Sequence, residues 1–169
     1  MFYFSIVVNS FFPYSFDKPR YTPRILGRRF ALTHTAYKYL DIGISVGPVP
    51  IVEIFLGDNK GNQIILTHAT WTTFIERRVD VERLLQSTTA ASSLSIRDLF
   101  IELVKIRDAN VVKLTLHESC LYMKPSTVLF LFEIEQCVEH VYLWLCQNTQ
   151  AVSNKFKRFV SIVTKLCNQ

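Results

Sequence analysis

Short alternating stretches dominate the first half of the chain. In residues 39–46, Leu40, Ile42 and Ile44 share one face of an extended segment. Residues 51–56 repeat the pattern, with Val52, Ile54 and Leu56 on one side and Glu53 and Phe55 on the other. The stretch "GDNKGN" supplies the turn residues of a hairpin, and Ile64 and Leu66 continue the apolar face beyond it. The period then changes from two to that of a helix. After Thr67, a residue type suited to a helix N-cap, Trp71, Phe74, Ile75, Val81, Leu84 and Leu85 recur near i, i+3, i+4. Glu76, Arg77, Arg78 and Arg83 take the opposite side, and the helix is expected to loosen around Val79–Asp80. Trp71 belongs to the buried stripe and reads as core.

The second half runs through the same plan. "QSTTAASSLS", residues 86–95, carries no charge and reads as a linker. In "LFIELVKI", Ile101 and Leu103 share a face. Val112, Leu114 and Leu116 oppose Val111, Lys113 and Thr115, and Leu121 and Met123 follow. Pro125 suits a first helical turn, which makes Lys124 the capping position. The helix then carries Val128, Leu131, Phe132, Val138, Val141, Tyr142 and Leu145, and "SNKFKRFVSIVTKLC" reads as a basic amphipathic terminal helix. With an offset of 57, Leu66 meets Met123, Trp71 meets Val128, Phe74 meets Leu131 and Val81 meets Val138. With an offset of 60, Val52 meets Val112, Ile54 meets Leu114 and Leu56 meets Leu116.

Order, more than residue identity, favours an internal duplication over a chance likeness. The expected class is α+β: two fused antiparallel-sheet-plus-helix units, each strand–strand–strand–helix, forming an intramolecular pseudo-dimer. The units span residues 39–86 and 96–147, joined by a linker at 87–95 and followed by a C-terminal amphipathic helix at 148–169. One such unit is small for independent stability, and two together bury a shared core.

Residues 1–38 are of a different kind. Residues 1–9, "MFYFSIVVN", are apolar but too short to span a bilayer, which needs roughly 20 residues. They read as a strand or a docked arm, with no basic leader before them. Residues 10–38 interleave Lys18, Arg20, Arg24, Arg28, Arg29 and Lys38 with Phe11, Phe12, Tyr14, Phe16, Tyr21, Phe30 and Tyr37, against the single acid Asp17. Pro13, Pro19 and Pro23 keep this backbone extended. The charge balance, 19 Lys and Arg against 14 Asp and Glu, permits nucleic-acid or acidic partners. Cys120, Cys137, Cys146 and Cys167 form no C-x-x-C pair and read as free, mostly buried thiols of a reducing compartment.

The stretch "NQIILTHATWTTFIERRV" resembles the strand-to-helix signature of the positive cofactor four family, the single-stranded-DNA-binding transcriptional coactivators. Leu66, Trp71 and Phe74 sit at the family's positions, and Met123, Pro125, Val128 and Leu131 match in the second unit. The resemblance implies a curved antiparallel sheet closed by a helix, two such halves, and grooves that hold single strands in transcription or replication. The chain departs from the family at its hairpins: "GDNKGN" and "HESC" are short where the family has longer, basic and aromatic wings.

Single-strand binding needs cations along the phosphates and flat rings on which bases stack. The candidate nucleic-acid-binding residues are Arg20, Tyr21, Arg24, Arg28, Arg29, Tyr37 and Lys38 in the arm. Phe55 and Lys60 in the first sheet and Lys105, Arg107 and Lys113 in the second complete the set. The aromatics of the arm serve equally as a lid on the sheet, and Phe55 is either a base platform or a side chain beneath that lid. Catalytic signals are poor: His34, His68, His117 and His140 are scattered, and no metal-ligand spacing, phosphate loop or nucleophile elbow occurs. The expectation is a non-enzymatic single-stranded DNA or RNA binder with no cofactor and no membrane. It would act as a transcription or replication accessory factor in the nucleus, the cytoplasm or a virion, alone, as a homodimer, or with transcription or replication proteins. The alternative is a structural or assembly protein, viral among other sources, that uses the same fold for protein contacts.

Overall fold

The computed structural model describes residues 24–47, 49–88 and 92–167. Two four-stranded antiparallel sheets follow one another along the chain, each succeeded by helices, an α+β arrangement of two sheet-plus-helix units. The first sheet contains β1 (Arg24–Ala31), β2 (Lys38–Ser45), β3 (Ile51–Asp58) and β4 (Gln63–Leu66), and α1 (His68–Glu76) and α2 (Arg78–Leu85) follow it. The second contains β5 (Ser93–Ile96), β6 (Leu99–Ile106), β7 (Ala109–Leu116) and β8 (Ser119–Met123), then α3 (Pro125–Glu133) and α4 (Glu135–Cys167). In both sheets the strand order in space is the order in sequence.

The alternation seen in the sequence sets which face is buried. Leu40 lies opposite Leu56, and Ile42 opposite Ile54. In the second sheet, Ile101 lies opposite Leu114 and Leu103 opposite Val112. All of these are buried, each stabilising the fold by roughly 2 kcal/mol. The helices start as their first residues dictate. The Thr67 hydroxyl accepts the Thr70 amide at 3.1 Å, and Pro125 opens α3 immediately after Lys124. Both helical segments break once, at Arg77 and at Ile134, which are related by the same offset of 57 as the core residues. The break in the first unit therefore falls just before the expected Val79–Asp80.

Each sheet has one strand more than the three expected. β1 lies inside the segment read as an extended arm, and β5 takes the end of the stretch read as a linker. β1 is disguised by a bulge: its register shifts between Ile25 and Arg28, and Leu26 adopts a φ of 54°. β5 is disguised by serines, yet Leu94 and Ile96 pair with Ile101 and Leu99. The terminal helix is not separate either; α4 runs unbroken for 33 residues. The four cysteines are free as expected, but all are exposed rather than buried.

One core joins the units. α4 packs across β1, β2 and β3 of the first sheet, whereas α2 packs against β5 of the second and α1 touches β5 as well as β3 and β4 of its own sheet. β4 and β8 run beside each other between the sheets. The Phe74 and Phe132 rings stack 4.8 Å apart across this seam. Polar ties cross it as well: Thr70 donates its hydroxyl to Asp98 at 2.9 Å, and His68 Nε2 meets the Glu139 carboxylate at 3.0 Å with its ring on Tyr142. Burial, followed by a hydrogen bond with Cys146, pushes the Tyr142 phenol up to about 12. Among the described residues, no helix is long and apolar enough to cross a membrane.

Candidate nucleic-acid interface

The bulge in β1 decides where its arginines go. Arg24 pairs with Ser45 and Arg29 with Asp41, so both fall on the outward face of the first sheet. Arg28 pairs with Ile42 and lies with Phe30 on the inner side of this edge strand, where it remains exposed. Each arginine is set over a ring. The Arg24 guanidinium carbon is 2.9 Å from the Phe55 centroid, that of Arg29 is 3.7 Å from Tyr39, and that of Arg28 is 5.4 Å from Phe30.

The outward face of the first sheet is thus furnished by its own side chains. Phe55, 1% exposed, lies beneath Arg24 and is a covered ring, not an open platform. Arg29 donates two hydrogen bonds to Asp41, at 2.8 and 2.7 Å, and these raise its pKa above the usual arginine value. Tyr39 needs Gly57 opposite it: a Cβ there would lie 2.8 Å from the ring. Ser45 donates its hydroxyl to Glu53 on the same face.

Lys38 and Lys60 gather at the β3–β4 turn. Lys38 Nζ lies 2.9 Å from Asp58 and 5.3 Å from the Tyr37 centroid. Asp58 also accepts the Lys60 and Asn62 amides and the Asn62 side chain. Burial works to push the Asp58 carboxyl up, but the Lys38 and Asn62 hydrogen bonds outweigh it and hold the carboxyl at about 2. Lys38 is therefore committed to the turn, while the Lys60 side chain is exposed at its tip.

The three cations of the second sheet do not form one patch. Lys113 faces outward and pairs with Glu102 at 3.4 Å. Lys105 has the opposite parity, that of Leu99, Ile101 and Leu103, and is exposed where the strand leaves the core. Arg107 sits in the β6–β7 turn with a φ of 49°. Strand parity thus places Lys105 and Lys113 on opposite faces of the second sheet. Arg20 and Tyr21 lie outside the described residues.

Two aromatics that the sequence reading passed over complete the second face. Phe100 is 52% exposed and Tyr122 is 41% exposed. Tyr122 lies opposite Lys113, and Phe100 opposite Thr115, two strands away from Tyr122 and one row along. Strand spacing and rise put the two rings about 12 Å apart. Their signal was available: each stands between two core residues, Leu99 and Ile101 or Leu121 and Met123, so alternation turns it outward.

Two of the four histidines meet a carboxylate, each a different one: His68 meets Glu139, and His117 meets Asp98 at 3.6 Å. Among the described residues, no group of three or more His, Cys, Asp or Glu side chains converges as a metal site would require. No family model and no curated protein matches the chain.

Proposed function

We propose that the chain is a non-enzymatic single-stranded nucleic-acid-binding protein, an intramolecular pseudo-dimer similar to the positive cofactor four family. It would serve as a transcription or replication accessory factor. The observation that carries this reading is the pairing of β1 arginines with rings: Arg24 on Phe55, Arg28 on Phe30 and Arg29 on Tyr39. An arginine over a ring can present N–H donors to phosphate oxygens and a face on which a base stacks; Arg28 is exposed for this, whereas Arg29 has to exchange Asp41 for a phosphate. Phe100 and Tyr122 beside Lys113 supply open rings and a cation on the second sheet, where bases stack directly. The packing of α4 on the first sheet and of α2 on β5, each on a strand of the other unit, supports the pseudo-dimer.

Titration of labelled single-stranded oligonucleotides at two salt concentrations tests this reading. Binding is expected to weaken steeply with salt. Arg28→Ala plus Arg29→Ala is expected to lower affinity about tenfold and to reduce the slope of log K against log salt by about 1.4, the share of two phosphate contacts on a single strand. Absence of binding at low salt defeats the proposal and leaves a structural or assembly protein as the better reading. The apolar side chains exposed along the end of α4 favour that second reading, because they suit protein contacts.

A further inference from the structure

The two halves of α4 differ in what they bury. The first packs Val138, Val141 and Leu145 into the core. Beyond Val152, Ser153 is the only buried residue described in the helix, yet the apolar residues continue. Phe159 is 47% exposed, Ile162 52% and Leu166 67%, and Val160 is exposed beside them. Lys155, Phe159, Ile162 and Leu166 follow the spacing of a single line along a helix. Arg158 and Lys165, two turns apart, edge that line on one side. No acidic residue follows Glu139, while Lys155, Lys157, Arg158 and Lys165 do.

We propose that this strip is the docking site for an amphipathic helix of a partner protein, apolar along one line and carrying carboxylates along the edge beside it. Charge complementarity selects this occupant. The strip offers apolar area headed by one cation and edged by two more, so a partner helix gains both burial and opposite charge only if its edge is acidic. A second copy of the strip brings Arg158 and Lys165 against their own kind. An anionic membrane calls for the full apolar face of the helix, but Val152, Phe156 and Val163, which complete that face, are already half-buried. The inference is independent of the nucleic-acid reading, since none of its residues belongs to either sheet.

The test uses the intact chain and two labelled helical peptides of about 18 residues, some five turns. Both carry leucine and phenylalanine at alternating three- and four-residue spacing; one has glutamates along an edge and its twin has lysines there. Fluorescence anisotropy is expected to give saturable binding of the glutamate peptide and little of its twin. Arg158→Glu plus Lys165→Glu is expected to weaken the glutamate peptide about tenfold and to restore binding of the lysine twin. Phe159→Ser plus Ile162→Ser weakens both pairings and leaves oligonucleotide binding unchanged, which separates this proposal from the one above. These side chains are exposed, and unchanged circular dichroism confirms that the variants fold. The assignment is overturned if the glutamate peptide shows no saturable binding or the twins bind the parent equally. It is also overturned if the Phe159 and Ile162 variant abolishes self-association or adsorption to phosphatidylserine vesicles in place of peptide binding.

Discussion

On the first sheet Arg24 lies over Phe55 and Arg29 over Tyr39; on the second, Phe100 and Tyr122 stand open near Lys113. The inward faces show no such contrast. Leu66 and Met123, Trp71 and Val128, and Val81 and Val138 occupy equivalent places and are all buried. The connections diverge as the outward faces do. The second sheet turns on two-residue links at Arg97–Asp98, Arg107–Asp108 and His117–Glu118, each with at least one residue at positive φ. The first sheet uses longer loops, one of them organised around Asp58. Burial constrains the shared positions in both units, whereas solvent-facing positions and turns are free to part, so a difference in ligand contact between the units must be sought outside the core.

The largest test of that symmetry is at the seam. Trp71 and Val128 are equivalent, fully buried and very different in volume. Trp71→Ala is expected to cost about 4 kcal/mol and Val128→Ala about 2 kcal/mol, measured by denaturant unfolding. Because one core joins the units, both variants should shift a single cooperative transition. Two separate transitions, each moved by only one of the variants, would show that the halves are energetically independent.

The turns give the next contrast. Asp58 and Glu118 are equivalent under the offset of 60, but only Asp58 is buried and enclosed by donors. Its carboxyl is depressed to about 2, so its stabilisation is complete above the unfolded value near 4 and is lost as pH falls through about 2. Asp58→Asn should therefore cost about 2 kcal/mol at neutral pH, and the gap from the parent should close between about pH 4 and pH 2. Glu118→Gln should change stability by less than about 0.5 kcal/mol at any pH. A pH-independent cost for Asp58→Asn would mean that the turn depends on shape instead of charge.

The same physics explains what the sequence disclosed. The central strands, the Thr67 cap, the Pro125 start and the shared core positions all followed from periodicity and from residue types with one strong preference. β1 did not, because a bulge at Leu26 inverts the alternation midway and three of its eight residues are arginines. β5 did not, because only Leu94 and Ile96 mark it among serines. Residues 146–154 look like a helix end because they are polar, yet they hold no glycine or proline. Asn148 and Thr149 bond instead to the carbonyls of Trp144 and Leu145 within the helix. Of the candidate interface, the interleaving of arginines and rings was legible, but not which ring lies under which guanidinium. That assignment depends on the bulge, and it is why Phe55 is covered while Phe100 and Tyr122 are open.

The smallest expected effect bears most directly on function. Phe100→Ala plus Tyr122→Ala removes two rings that are half in water, so folding stability should change by only about 0.5 kcal/mol. If bases stack there, single-strand affinity should fall about thirtyfold, the low end of the stacking range for two rings. The salt slope should stay where it was, since no cation is lost. The β1 arginine variant behaves in the opposite way, changing the slope as well as the affinity. Phe55→Ala makes a third pattern, because its ring is covered: it should lower stability without a stacking signature. If the open rings can be removed with no change in affinity while the β1 arginines cannot, the strand follows the first sheet alone. The second unit then contributes core and helix to the fold, but no surface to the strand.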